Sequence, residues 1–311
     1  MSVPPGYSAL CLDRQLAQAI GFRPALDRIR LLVNEPGNLS ALQGLQLYAL
    51  CREYRPDVVI ELGRGYGNST CVFASAIEAN GGGQLMSFDL DSLWHELTVP
   101  KLMTNGFAKI VSRVDARTQD IATVDFGQLV GDAKKVFVFW DAHGWEAADG
   151  VLCRLMPAIA GRKHLVACHD VTDSRYVEVP RSYNGRFFWR GPDTKEVSAR
   201  YNIGWLNTQE PQFLPLMDFL WRNDCEMRSA DEDLAVWRLN HAARQAQVEQ
   251  AIGADVFAPG CHWTYFSLND AKAALTFPAL MHKAPQAEES GSGRHASPRR
   301  LLSRLSRKLA R

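Results

Sequence analysis

Short apolar runs closed by glycine or charge recur along this chain, and between them the apolar positions fall at helical spacing. DVVIEL (57–62) is short, β-branched and closed by Gly63, the pattern of a buried strand. QLMSFDLD (84–91), AKIVSRVDA (108–116), KKVFVFWDA (134–142) and KHLVACHDV (163–171) predict four more. Leu42, Leu45, Tyr48 and Ala49 share a helix face that stops before Pro56. NSTCVFASAIEAN (68–80) predicts a helix with Asn68, Ser69 or Thr70 as N-cap and NGGG as its end. WEAADGVLCRLMPAIA (145–160) aligns Val151, Leu155 and Ile159. PLMDFLWRN (215–223) reads as helical, and CEMRS and LAVWRLN flank ADED as the arms of an antiparallel hairpin would. Strands alternating with helices predict an α/β fold: a Rossmann-like, doubly wound, mostly parallel sheet with helices on both faces.

The regular alternation occupies residues 42–240. Residues 1–41 are weakly patterned and form an N-terminal cap, and 241–284 make an extension without a clear role. An aromatic and basic insert at 172–210 follows the C-terminal end of a strand, the edge where open α/β sheets bind ligands, which suits a lid. A structural excursion covering the sheet is the plainer alternative. The last stretch, 285–311, is a flexible basic tail. On a helix begun near Ser297, Leu301, Leu302, Leu305 and Leu309 make one stripe among arginines, able to meet anionic lipid or an acidic partner, or to stay solvated.

Composition narrows the picture by exclusion. The 311 residues are 46% hydrophobic and 22% charged, with a formal charge of +1, so the whole molecule exerts no pull on nucleic acid. The 7 cysteines are scattered without a C-x-x-C pair, as buried free thiols are. No leader pattern opens the chain, and no apolar run approaches the roughly 20 residues that span a bilayer. A cytoplasmic setting is expected.

The most informative stretch is VIELGRGYGNST. A strand ends in Glu61, and Gly63, Gly65 and Gly67 precede the next helix. Glycines allow the tight turn and a close ligand approach to the backbone. A dinucleotide fingerprint is spaced G-x-G-x-x-G; here the spacing is G-x-G-x-G, with a carboxylate two residues ahead that suits a cationic amino group. Asp89 ends the second strand, where an acidic side chain can accept from both ribose hydroxyls of an adenosine. Asp115, with Ala116 beside it, is placed to accept from an adenine amino group, or is simply a solvated carboxylate.

E-L-G-x-G-x-G-x-S-T, SFDLD, RVDA, WDAH and CHD, in this order, resemble the class I S-adenosylmethionine-dependent methyltransferases. Within them the sequence is most similar to the branch holding macrocin O-methyltransferases and cephalosporin-hydroxylase-like proteins. The resemblance implies a seven-stranded sheet whose last strand is antiparallel. It implies that Glu61 and the backbone of Gly63, Gly65 and Gly67 hold the methionine end of the cofactor, that Asn68 also binds the cofactor, that Asp89 holds the ribose, and that Asp115 and Ala116 flank the adenine. Methyl transfer to a hydroxyl of a small molecule or glycan follows as the expected reaction. A non-catalytic binding protein of the same fold and an NAD-dependent oxidoreductase are the competing readings.

WDAH raises a separate question, because DAH and SFDxD are also pieces of the arginase metal signature. The order is reversed here, and Gly144-Trp145 supplies no further carboxylate, so that likeness is set aside. In the methyltransferase resemblance, Asp141 and Asp170 end neighbouring strands and can share a hard divalent ion such as Mg²⁺. His143 is then the expected base, with His169 as second candidate. The branch spaces Asp and His as D-x-x-H, whereas here they stand as Asp141-Ala142-His143.

Overall fold

In the computed structural model the described residues are 3–4, 6–34, 39–169, 212–253 and 263–278. The proposed lid at 172–210, Asp170 and the basic tail at 285–311 lie outside them. Among the described residues the strands form one seven-stranded sheet ordered β3-β2-β1-β4-β5-β7-β6. They are β1 Val58–Leu62, β2 Gln84–Asp89, β3 Val114–Thr118, β4 Lys135–Trp140, β5 Lys163–His169, β6 Arg228–Ser229 and β7 Trp263–Phe266. The pairs β1–β2, β2–β3, β1–β4 and β4–β5 are parallel, and β7 runs antiparallel to both β5 and β6. The expected fold class is therefore present.

Residue parity explains the two layers. Side chains alternate along a strand, so Val59, Leu85, Phe137, Phe139, Leu165 and Ala167 face one core. Val58, Ile60, Leu62, Val136, Val138, Val166 and Cys168 face the other. The first core is closed by α1 Tyr7–Arg14, α2 Leu16–Leu32, α3 Ala41–Tyr54 and α4 Asn68–Asn80, which bring Leu12, Leu26, Leu45 and Phe73 to it. The second is closed by the helical stretch 145–159 and by the helix Phe213–Arg222. Each such Val, Ile or Leu contributes about 1.5–3 kcal/mol when fully buried. Glu61, Ser87 and His169 share the parity of the first face, and Asp141 continues it past β4. Their chemistry is turned toward α3 and α4.

Three elements differ from the sequence reading. Residues 108–116 are not one strand: Ala108–Val111 is a short helix, and the strand begins at Val114. Phe107, Ile110, Val111 and Val114 all pack on the first core at spacings of three to four, which is helical rather than alternating. LAVWRLN is not a hairpin arm but part of the helix Ala230–Asn240, with Leu234 and Trp237 one turn apart and buried. The antiparallel strand is β7, drawn from the extension at 241–284.

The N-terminal cap is helical and tied in deeply. Phe22 stacks on Tyr48 at 4.1 Å. Asp233 accepts from Gly6 N–H, from Ser8 Oγ and from the buried Tyr265 hydroxyl, joining the first helix to the last strand. Burial raises the Asp233 pKa, and its hydrogen bonds oppose that. No helix among the described residues is long and apolar enough to cross a membrane.

Candidate functional site

The strand order reverses between β1 and β4, and the crevice outside the C-terminal ends of strands at such a point is where open α/β sheets take ligands. The glycine loop occupies this position. Its three glycines all have positive φ, but they do different work. A Cβ on Gly63 would stand 2.6 Å from the Asp141 carbonyl carbon, and one on Gly67 would stand 2.2 Å from the Trp94 ring. These two let the loop close on its neighbours. A Cβ on Gly65 would meet nothing within 4 Å, so here the backbone is open to an incoming group.

Beneath the loop lies Glu61, fully buried. The sequence reading gave it a ligand's amino group; the structure instead surrounds its oxygens with Ser69 Oγ at 2.6 Å, Thr70 Oγ1 at 2.6 Å and Ser87 Oγ at 2.5 Å. The correction follows from parity, since position 61 points under α4 rather than out of the strand end. It also explains why neither Ser69 nor Thr70 is the N-cap: Gly67 is, without a side-chain cap. Burial raises the Glu61 pKa, while the three hydroxyls and Arg64 oppose that rise. Asn68 opens α4, and its amide donates to Asn34 O at 3.4 Å.

Arg64, inside the loop, is also buried. Its Nη1 donates to Ser87 O at 2.7 Å, while Nε and Nη2 have no partner among the described residues. Unpaired buried donors are costly, and they stand among Glu61, Asp89 and Asp91, whose charges oppose the lowering of the Arg64 pKa by burial. No sequence signal singled this residue out beyond its place between glycines.

Asp89, which the sequence reading named as a ribose partner, lies at the loop. Its Oδ2 accepts Gly65 N–H at 2.6 Å, and its Oδ1 accepts Leu90 N–H at 2.7 Å and Asp91 N–H at 3.1 Å. A carboxylate offers about four lone-pair positions, so a two-point grip on a diol requires Gly65 N–H to release one. Asp115 and Ala116 do not reach this level. Register pairs Met86 with Asp115, Ser87 with Ala116 and Asp89 with Thr118. Asp115 is half exposed in an ion pair with Arg117 at 2.6 Å. The strand-end level of Asp89 is occupied instead by Thr118 and Gln119, and the Gln119 backbone N–H donates to Asp89 O at 2.8 Å. The shift has the same cause as the helix at 108–111: the strand starts later than its apolar letters suggest.

Beyond β4, Asp141 N–H donates to Leu62 O at 2.8 Å, which sets this residue against the loop. Its Oδ1 lies 3.0 Å from His169 Nδ1 and 3.9 Å from His143 Nε2. The sequence-predicted trio is thus brought together, but the histidines are unequal. His169 is 7% exposed, with Nδ1 on Asp141 and Nε2 3.0 Å from the Gln43 amide nitrogen. It is placed to hold rather than to exchange protons with an acceptor. His143 is 43% exposed, and its Nδ1 lies 3.2 Å from Gln212 Nε2. Gly144 N–H donates to Gln212 Oε1 at 3.0 Å, which turns the amide nitrogen toward the ring. His143 Nδ1 therefore accepts, and in the neutral ring the proton sits on Nε2, facing Asp141. A base at Nε2 needs the other tautomer, so the expected role of His143 is not met as the ring stands. Gln43 and Gln212 were missed in the sequence because nothing local marks them.

No group of three or more His, Cys, Asp and Glu side chains able to hold a metal gathers among the described residues. Asp170, the second expected ligand, lies outside them. A cavity of about 590 Å³ lined by Asp57, Gly83, Arg113 and Gly131 opens at the opposite, N-terminal edge of the strands, away from this chemistry.

No protein-family model matches the chain, and no curated protein matches it. Solved structures do. A methyltransferase of Podospora anserina bound to S-adenosylhomocysteine is 12% identical over 80% of this chain and 87% of its own, with a TM-score of 0.39. The O-methyltransferase TomG of Streptomyces achromogenes, in complex with S-adenosylmethionine, is 19% identical over 61% and 72%, at 0.38. An O-methyltransferase of Bacillus cereus in complex with S-adenosylhomocysteine is 13% identical over 68% and 82%, at 0.38. At such identities and scores these are likenesses of fold, and the function proposed below rests on this chain's own geometry.

Proposed function

We propose that this chain is an S-adenosylmethionine-dependent methyltransferase acting on a hydroxyl oxygen of a small molecule or sugar. The observation that carries the reading is the glycine loop at the β1–β4 switch point, open at Gly65 and clasped by the Asp89 carboxylate. An open backbone cradle with an acidic group from the neighbouring strand end fits an adenosine with a short zwitterionic arm. The spacing of the glycines and the buried Glu61 beneath them do not suit a pyrophosphate.

When bound, S-adenosylmethionine would supply an electrophilic methyl on its sulfonium, with sulfur keeping the electron pair of the carbon–sulfur bond as the acceptor oxygen takes the methyl. The protein's part is placement and exclusion of water. Asp89 and the open turn at Gly65 take the ribose side, and Thr118 and Gln119 stand at the adenine side. Asp141, against Gly63, offers its carboxylate to the cationic end of the arm. His143 is exposed beside Asp141, but its Nδ1 is engaged by Gln212 and its Nε2 carries the proton, so the acceptor's proton leaves to solvent. Metal assistance would need Asp141 together with Asp170. Asp141 alone, with His169 on one oxygen, does not make a hard-cation site, and no step here depends on an ion.

Calorimetric titration with S-adenosylhomocysteine, with and without Mg²⁺ and with NAD as control, tests the reading. Binding of S-adenosylhomocysteine but not NAD is expected. Asp89→Ala should weaken it roughly 10- to 100-fold, the effect of losing a charged hydrogen-bonding partner worth about 1.5–3 kcal/mol. Absence of S-adenosylhomocysteine binding to the unaltered protein would sink the assignment.

A further inference from the structure

A chain of side chains runs from the start of α3 to the donor side of the site, and each link fixes the next. Ser40 and Gln43 form a capping box: Gln43 N–H donates to Ser40 Oγ at 3.1 Å, and Ser40 N–H donates to Gln43 Oε1 at 2.7 Å. A backbone N–H can only donate, so the Gln43 amide oxygen is the atom turned to Ser40. The amide nitrogen, which can only donate, is then the atom 3.0 Å from His169 Nε2. Nε2 must accept, and the ring proton of neutral His169 resides on Nδ1, directed at Asp141 Oδ1 at 3.0 Å. Gln43 is 2% and His169 7% exposed, so water competes weakly at either link. Phe139 lies beside the imidazole, with ring centroids 5.9 Å apart.

We infer that Ser40, Gln43 and His169 form a positioning relay that sets the His169 tautomer and thereby the orientation of Asp141. The consequence is a carboxylate with Oδ1 held inward. Its Oδ2 makes no hydrogen bond among the described residues and is left to a ligand. Gln43 and His169 are positioning residues: they touch no reacting atom and act through Asp141. The relay also gives the N-terminal segment a role, since Ser40 caps α3, Gln43 lies in its first turn, and α3 is packed against α1 and α2. What Asp141 serves depends on the methyltransferase reading; the relay itself does not.

The test uses the full-length chain and the conservative variant Gln43→Glu. Glutamate at this position keeps the capping box, because its carboxylate still accepts Ser40 N–H. It replaces the donor facing His169 with an acceptor, which calls for a proton on Nε2. Long-range nitrogen–proton NMR correlations report which ring nitrogen carries hydrogen, with His169→Gln assigning the signal among the 8 histidines. In the unaltered chain His169 should show the Nδ1–H form, and Gln43→Glu should convert it to the Nε2–H or doubly protonated form. S-adenosylhomocysteine affinity should fall about tenfold, with helical circular dichroism and the urea midpoint little changed, as expected of a cap-preserving swap. An Nε2–H form in the unaltered chain overturns the relay. A converted tautomer with unchanged affinity overturns its positioning role. An unaltered chain that shows the Nδ1–H form but binds no S-adenosylhomocysteine upholds the relay and removes the methyltransferase reading instead.

Discussion

The two halves of the strand edge are built by different means. At β1 and β2 the site is backbone: a glycine loop shaped by positive φ, with Asp89 folded onto it from 24 residues away along the chain. At β4 and β5 the site is side chain: Asp141 and two histidines, oriented by Gln43 and Gln212 from helices 98 and 71 residues removed in the opposite directions, the one ahead of Asp141 and the other after it. The first half is stiffened by local geometry and fails when a Cβ intrudes. The second depends on remote amides and fails by losing orientation while the fold persists.

Substitutions in the loop break this contrast most forcefully. Gly67→Ala combines a φ of +90° with a Cβ 2.2 Å from the buried Trp94 ring. Strain and overpacking together should cost about 3 kcal/mol, visible as a large drop in urea midpoint. An unchanged midpoint would mean that Trp94 does not rest on the loop. Gly65→Ala is the matched control, with a φ of +51° and open space around the added carbon. Its stability cost should be only about 1 kcal/mol, while S-adenosylhomocysteine affinity should drop at least tenfold, because the methyl group fills the cradle. Equal effects of the two alanines on stability and binding would erase the distinction between a packing glycine and a binding one.

Legibility in the sequence follows the same divide. The run from DVVIEL through the glycines to α4 carries its own instructions, since buried strand, positive-φ turn and helix start are adjacent letters. Asp89 was legible because a strand-end carboxylate is a local feature. Asp115 was misplaced because Phe107, Ile110 and Val111 lend a helix the apolar density of a strand. LAVWRLN misled for the same reason, its Leu234 and Trp237 being one helical turn apart. Gln43 was not read from the sequence at all: its capping box with Ser40 is seen in the structure, and nothing in its neighbourhood says that its amide nitrogen meets His169. Glu61 was found but turned the wrong way, because its direction depends on parity against α4 and not on its distance from the glycines.

The smallest expected effect concerns the two histidines of β5, which differ by end of strand. His169 at the C-terminal end serves the site, whereas His164 near the start is structural: Nδ1–H donates to Arg162 O at 2.9 Å, and Nε2 accepts Leu268 N–H at 2.8 Å. Burial lowers the His164 pKa below its ordinary 6.5. With a folded pKa below the unfolded one, the unfolded chain takes up a proton first as pH falls. The stability held by neutral His164 is therefore complete above pH 6.5 and is lost as pH falls from there toward the folded pKa, at no more than about 1.4 kcal/mol per pH unit for one proton. Glu61 acts with the opposite sign: its raised pKa makes ionisation cost stability as pH rises above 4.5. The two slopes have opposite signs, so the difference between unaltered protein and His164→Gln is the useful quantity. Urea unfolding from pH 7.5 to 5.5 should show the unaltered protein losing stability on acidification relative to the variant, which has no ring to protonate. Parallel profiles would mean that His164 is not held neutral by the Leu268 contact, and that the two ends of β5 are less different than their hydrogen bonds make them.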